Sequence, residues 1–151
     1  MYWRMQLHPS EAELSVKHAI TSLAAGYIGL DFGKDLGDLH LLKREELPDG
    51  QRDYWDFAHV MKQGDLVLVV AHHFPFALAK VAGPYSYISH ALPHIGVWFR
   101  HFRAVRDISY YGDWITNAHK WRPLKMTDTI SPLHDTTSQS YMLIDEWRSA
   151  A

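Results

Sequence analysis

Cysteine is absent from the 151-residue chain. Without it no disulfide framework, thiolate zinc site or thiol nucleophile can form, and a reducing, cytoplasmic setting is the expectation. No apolar run reaches the roughly 18–20 residues that a membrane-spanning helix needs. Met1-Tyr2-Trp3-Arg4 runs straight into structured-looking sequence, so no signal peptide is expected. Also missing are a G-x-S-x-G elbow, a Walker loop, an H-E-x-x-H motif and the P-D/E-x-K pattern of many metal-dependent nucleases. Pro48-Asp49 has no matching strand and lysine after it. Covalent catalysis is therefore not expected of this chain, and neither is a cofactor. A basic excess is lacking too, with a formal net charge of −2 and a pI near 6.6. Proteins that hold nucleic acid by phosphate neutralisation alone are usually strongly basic. Any such binding here needs a local cationic stripe and a discriminating pocket, or a partner.

What is present is the balance of one globular domain spanning 1–151, with 47% apolar and 21% charged residues. Six Trp, eight Tyr and six Phe suit a small β-rich core, and the same rings make flat walls on which a heterocycle stacks. Eleven histidines raise the question of a metal. His72 and His73 are adjacent, however, and would point to opposite faces of a strand. His90, His94 and His101 have no carboxylate at a telling spacing, so no metal site is expected.

Residues 2–7 read as a strand with Trp3, Met5 and Leu7 on one side. Ser10 and Glu13 form a capping box for a helix over about 10–24, with Ala12, Val16, Ala19, Ile20 and Leu23 at helical spacing and Gly26 as its stop. A short strand follows at 27–30. Residues 31–52 are irregular, punctuated by Gly33, Gly37, Pro48 and Gly50; a connection of that length in a small domain is usually functional or mobile. A short helix is expected over 53–62, burying Trp55 or Phe57 with Val60 and Met61. Gly64-Asp65 turns the chain into a strand at 66–71 that is apolar on both faces. A hairpin partner over 76–82 is expected to stop at Gly83-Pro84, before a loop carrying Tyr85, Tyr87, His90, Pro93 and His94. Another strand is expected over 97–105, then a short helical piece near Tyr110, Tyr111 and Trp114. A final helix is expected over about 137–148, capped by Asp135 or Thr136, with Tyr141, Ile144 and Trp147 or Leu143 turned inward. This order predicts an α+β domain whose curved sheet of five to six strands approaches a barrel and is flanked by helices.

One cationic stripe stands out. Arg100, His101, Arg103 and Arg106 lie on or just past the 97–105 strand, with Lys120, Arg122 and Lys125 further on. These residues either keep a sheet edge solvated or bind phosphates. Strand alternation puts His101 and Arg103 on one face, where two cations would hold adjacent phosphates.

Three segments together carry a resemblance. They are Met61-Lys62-Gln63-Gly64-Asp65-Leu66-Val67, then Lys80-Val81-Ala82-Gly83-Pro84-Tyr85-Ser86-Tyr87, then His101-Phe102-Arg103-Ala104-Val105. Their ordered series resembles that of PUA-like/EVE-like domains, relatives of YTH readers, found at the N-terminus of McrB-type and Mrr-type modification-dependent restriction proteins. Tyr2-Trp3-Arg4, Ile28-Gly29-Leu30-Asp31-Phe32 and Gly37-Asp38-Leu39 occupy the places of the opening strand and of the "I-G-x-G-W … G-D-L" segment. Lys80, Asp31-Phe32 and Asp107-Ile108 depart from the usual pattern.

The resemblance implies a PUA-like sheet that reads one base flipped from double-stranded DNA carrying a modification. An effector NTPase or nuclease would lie on another domain or subunit, and no membrane is involved. By position the pocket would draw on Tyr27, Asp31 and Phe32 from one side and Tyr85, Tyr87 and His90 from the other, with Trp3 nearby. Flipping a base costs a few kcal/mol, and stacking it on aromatic rings returns about 1–3 kcal/mol per base. A buried methyl adds about 0.8 kcal/mol, so discrimination needs a polar contact, expected from Asp31 to an exocyclic amine. An RNA-binding PUA-like module, or a barrel that holds a small flat ligand or a protein, are the alternatives these residues leave open.

Overall fold

The computed structural model describes residues 1–7, 12–71, 73–95, 97–114, 123–124 and 128–150. Its strands are β1 (Tyr2–Gln6), β2 (Tyr27–Leu30), β3 (Leu66–Ala71), β4 (Phe74–Tyr87), β5 (His101–Tyr110) and β6 (Ile130–Leu133). Its helices are α1 (Ala12–Ala25), α2 (Trp55–His59), α3 (Tyr111–Trp114) and α4 (Gln139–Ala150). The strands form one mixed sheet in the order β2-β5-β4-β3-β1-β6, which curls into a half-barrel flanked by the helices. The expected α+β architecture with a curved sheet is the one observed. Only β1 and β3 run parallel; the remaining pairs are antiparallel. None of the described helices is long and apolar enough to cross a membrane.

The sheet buries both faces, which explains the unbroken apolar run of β3. Val67 and Val69 pack into the concave core with Trp3, Met5, Ala19, Leu23, Phe57 and Met61. Leu68 and Val70 pack on the convex side, under Ile144 and Trp147 of α4. In α4 Ile144 and Trp147 are the buried apolar residues, while Tyr141 and Leu143 are only partly covered. Asp135 accepts bonds from the Thr137 amide and hydroxyl ahead of the helix. In α1 Ala19 and Leu23 face inward and Ile20 faces solvent. Gly26, at φ 84°, ends the helix with its N–H on the Leu23 carbonyl. Ser10 and the Glu13 side chain lie outside the described residues.

Three boundaries differ from the sequence pattern. Gly83-Pro84 does not end the hairpin, because β4 runs on to Tyr87 and shifts register between Val81 and Tyr85. A proline without an N–H is tolerated at such an irregularity. Tyr85 and Tyr87 are therefore strand residues opposite Arg103 and His101. β5 begins at His101 rather than Val97 and extends to Tyr110, since the Arg100 amide goes to the Asp31 carboxylate instead of to a neighbouring strand. The expected 53–62 helix is a 3₁₀ turn at Arg52–Tyr54 followed by the short α2, which buries Phe57. β6 was not expected, because Pro132 sits in its middle. It is an edge strand, pairing only with β1, where proline costs no ladder bond that the sheet needs.

The Gly64-Asp65 pair has a defined structural task. Gly64 adopts φ 95°, and the buried Asp65 carboxylate accepts from Trp3 Nε1 at 2.9 Å and the Lys62 amide at 2.9 Å. The turn thereby ties the parallel β1–β3 pair together at one end.

Candidate functional site

His101 is the centre of the site. Register places Tyr87 directly across from it on β4 and Leu30 across from it on β2, so paired side chains share the concave face. Its ring is 0% exposed. Around it stand Phe32 at 5.4 Å and 88°, Tyr87 at 5.3 Å and 37°, and Tyr85 at 5.9 Å and 19°. Tyr54 packs against Phe32 at 5.0 Å, and His40 meets Tyr85 edge-on at 4.8 Å. Phe32 and Tyr85, 53 positions apart in the sequence, thus pack against the same imidazole.

Polar groups are arranged in a chain. The Leu39 amide donates to Tyr85 Oη at 3.0 Å, and Tyr85 Oη lies 2.6 Å from His101 Nδ1. His101 Nε2 is buried with no hydrogen-bond partner. Burial pushes the His101 pKa down from 6.5 to about 4, so the ring is neutral at pH 7. Burial also drives the Tyr85 hydroxyl above its ordinary range. Tyr87 donates to both oxygens of Asp35, at 2.7 and 2.8 Å. The Gly37 amide, and then that hydroxyl, hold the Asp35 carboxyl below the usual range.

Segment 31–42 roofs this cluster. Asp31 is gripped by Arg100, whose Nε lies 2.8 and 3.1 Å from its two oxygens and whose amide lies 3.2 Å away. Arg100 Nη2 also donates to the Phe32 carbonyl at 2.8 Å. Further along, the Leu39 carbonyl meets His59 Nε2 at 2.8 Å, and Trp55 Nε1 donates to the Leu42 carbonyl at 3.1 Å. Trp55 and His59 stack at 3.9 Å. With Phe32 only 5% and Tyr85 only 6% exposed, the slot expected between them is not open.

Several predicted site residues have other tasks. Arg103 is no phosphate ligand. It is 4% exposed and donates to the carbonyls of Gly83 (3.2 Å), Phe57 (2.9 Å) and Met61 (2.7 Å). It pins α2 to the β4 irregularity. His101 is likewise no phosphate cation, being buried and neutral. Alternation did put these two on one face, but that face is the interior. Arg100 is occupied by Asp31, so neither the predicted phosphate contact of Arg100 nor the amine contact of Asp31 is available in this form. Of the stripe, Arg106 alone among the described residues stands out in solvent, 3.8 Å from Asp107. Lys120, Arg122 and Lys125 lie outside the described residues.

Tyr27 is not in the slot. It sits on the opposite face of β2 from Leu30 and meets Phe102 edge-on at 5.5 Å. Trp3 is fully buried, its indole committed to Asp65. His90 is exposed after β4. Tyr54, His40, Asp35 and Leu39 were missed as site residues; His40 and Asp35 were signalled only by the length of the irregular 31–52 stretch, Leu39 also by its place in Gly37-Asp38-Leu39, and Tyr54 lay in the expected 53–62 helix with no signal of its own. No group of three or more His, Asp or Glu among the described residues is placed to hold a metal ion. No protein-family model matches the chain, and no curated protein matches it significantly.

Proposed function

We propose that this chain is a PUA/EVE-like reader of a modified base in double-stranded DNA, serving as the specificity domain of a modification-dependent restriction system. The NTPase or nuclease that acts on its signal belongs to another domain or subunit. The observation that carries this reading is the convergence of Phe32 with Tyr85 and Tyr87 on His101. Aromatic rings from two distant segments surround one buried polar ring, Phe32 edge-on and Tyr85 near-parallel, the composition expected of a site that takes up a heterocycle.

Entry requires segment 31–42 to lift. That re-exposes Phe32, at about 1.5–3 kcal/mol, and breaks the contacts from Arg100, Tyr87 and Tyr85. Stacking at about 1–3 kcal/mol per base offsets only part of this, so phosphate contacts must supply the rest. The exposed Lys34 and Lys43, and Arg106 once it leaves Asp107, are among the described cations that stand ready to move toward a backbone.

The test is binding to matched duplexes that are unmodified or carry 5-methylcytosine, 5-hydroxymethylcytosine or N6-methyladenine, with RNA alongside, at two salt concentrations. Preference for one modified duplex, lost in Phe32→Ala and Tyr85→Ala, is the expected result. Equal affinity for every duplex would discard the reading, and tighter binding to RNA would redirect it.

A further inference from the structure

The hydrogen-bond chain at the site determines which nitrogen of His101 carries its proton. A backbone N–H only donates, so Tyr85 Oη accepts from Leu39. The hydroxyl keeps one hydrogen of its own, and its remaining contact is His101 Nδ1 at 2.6 Å. The arrangement that satisfies every group has Tyr85 donating to Nδ1. A neutral imidazole then carries its single N–H on Nε2. That atom is buried and without a partner.

An unmet buried N–H costs about 1–3 kcal/mol, and such groups in native proteins call for an explanation. The T-shaped Phe32 ring offers it at most a weak π contact, and Phe32 belongs to the segment that must move. Asp31 does not serve as its acceptor either, since the carboxylate is turned to Arg100 and makes no hydrogen bond to Nε2.

We infer that His101 Nε2–H is the specificity-determining donor of the slot, so the ligand presents a ring nitrogen or a carbonyl oxygen to it, not an amine. This rests on the base-reader reading and sharpens it. The slot offers a donor where the Asp31 carboxylate would have offered an acceptor. Cytosine would meet it through N3 or O2, and adenine through one of its ring nitrogens.

Two measurements test this. Long-range proton–nitrogen correlation spectra of the free chain at pH 7 should show Nδ1 unprotonated and Nε2 protonated; the opposite tautomer overturns the inference whatever the chain binds. Next, the modified duplex that wild type prefers is compared with analogues each lacking one acceptor, a ring nitrogen replaced by C–H or a carbonyl removed. One analogue should bind about 5- to 100-fold more weakly. His101→Asn keeps an oxygen for Tyr85 but loses the Nε2 donor; it should show the same loss and no longer sense that analogue. His101→Gln, with an amide nitrogen near the Nε2 position, should recover part of the affinity. If wild type prefers no modified duplex, the reader hypothesis itself fails and the inference with it. If the preference exists but no acceptor deletion weakens it, the reader stands and the His101 inference is wrong.

Discussion

Replacing Arg103 by methionine separates a structural arginine from a phosphate ligand. The aliphatic stem is kept, while the carbonyls of Gly83, Phe57 and Met61 lose their donor. Each buried acceptor left unmet costs about 1–3 kcal/mol. With three acceptors and some relief from water entering, the expected destabilisation is about 3–5 kcal/mol. For a domain of this size that lowers Tm by roughly 6–20 °C. Lysine, a point charge without the planar fork, should recover only part of the loss. Urea unfolding is the assay, read as a lower midpoint at unchanged slope. Below the unfolding range, the salt dependence of duplex binding should match wild type. A variant within about 0.5 kcal/mol of wild-type stability, whose salt slope falls by about one, would refute the reasoning and return Arg103 to the surface.

Three further outcomes follow from the same geometry. His101 has a folded pKa of about 4 against the ordinary 6.5, so between these values the unfolded chain binds the extra proton. Stability should rise with pH across that window by up to about 3 kcal/mol and level off above it; a urea-midpoint series in which His101→Asn keeps the same slope would contradict this. Arg100→Met releases the grip on Asp31 and the Phe32 carbonyl, and limited proteolysis should cut the 31–52 stretch about tenfold faster, from a loss of about 1.5 kcal/mol in local closing energy. Unchanged cleavage would mean that the roof is held by other contacts. Gly29→Ala would bring a methyl to 2.6 Å from both the His101 carbonyl oxygen and the Phe99 side chain; a loss of about 1–3 kcal/mol or more is expected, and a thermal scan that overlays wild type would exclude that close approach.

Much of the architecture was legible because its signals are local. Helical spacing ended by Gly26, and the apolar run of β3, depend on neighbours a few positions away. The Gly64 turn is equally local. β6 was not legible, since Pro132 reads as a strand breaker until one knows that the strand lies at the edge. Nor was the extension of β4 through Pro84, because a register shift is a property of two strands together.

At the site, the sequence determined that Phe32, Tyr85, Tyr87, Asp31 and the His101–Arg103 pair deserved notice, and alternation correctly put His101 and Arg103 on one face. Only the tertiary structure decided that this face points inward. The curl of the sheet, with the roof of 31–42 over His101 and α2 over Arg103, removes both side chains from water, and a cation or imidazole without water must find internal partners. Charge type is written in the chain, whereas solvation depends on what folds over it; that difference turned a predicted phosphate ridge into an interior arginine clamp and a buried N–H donor.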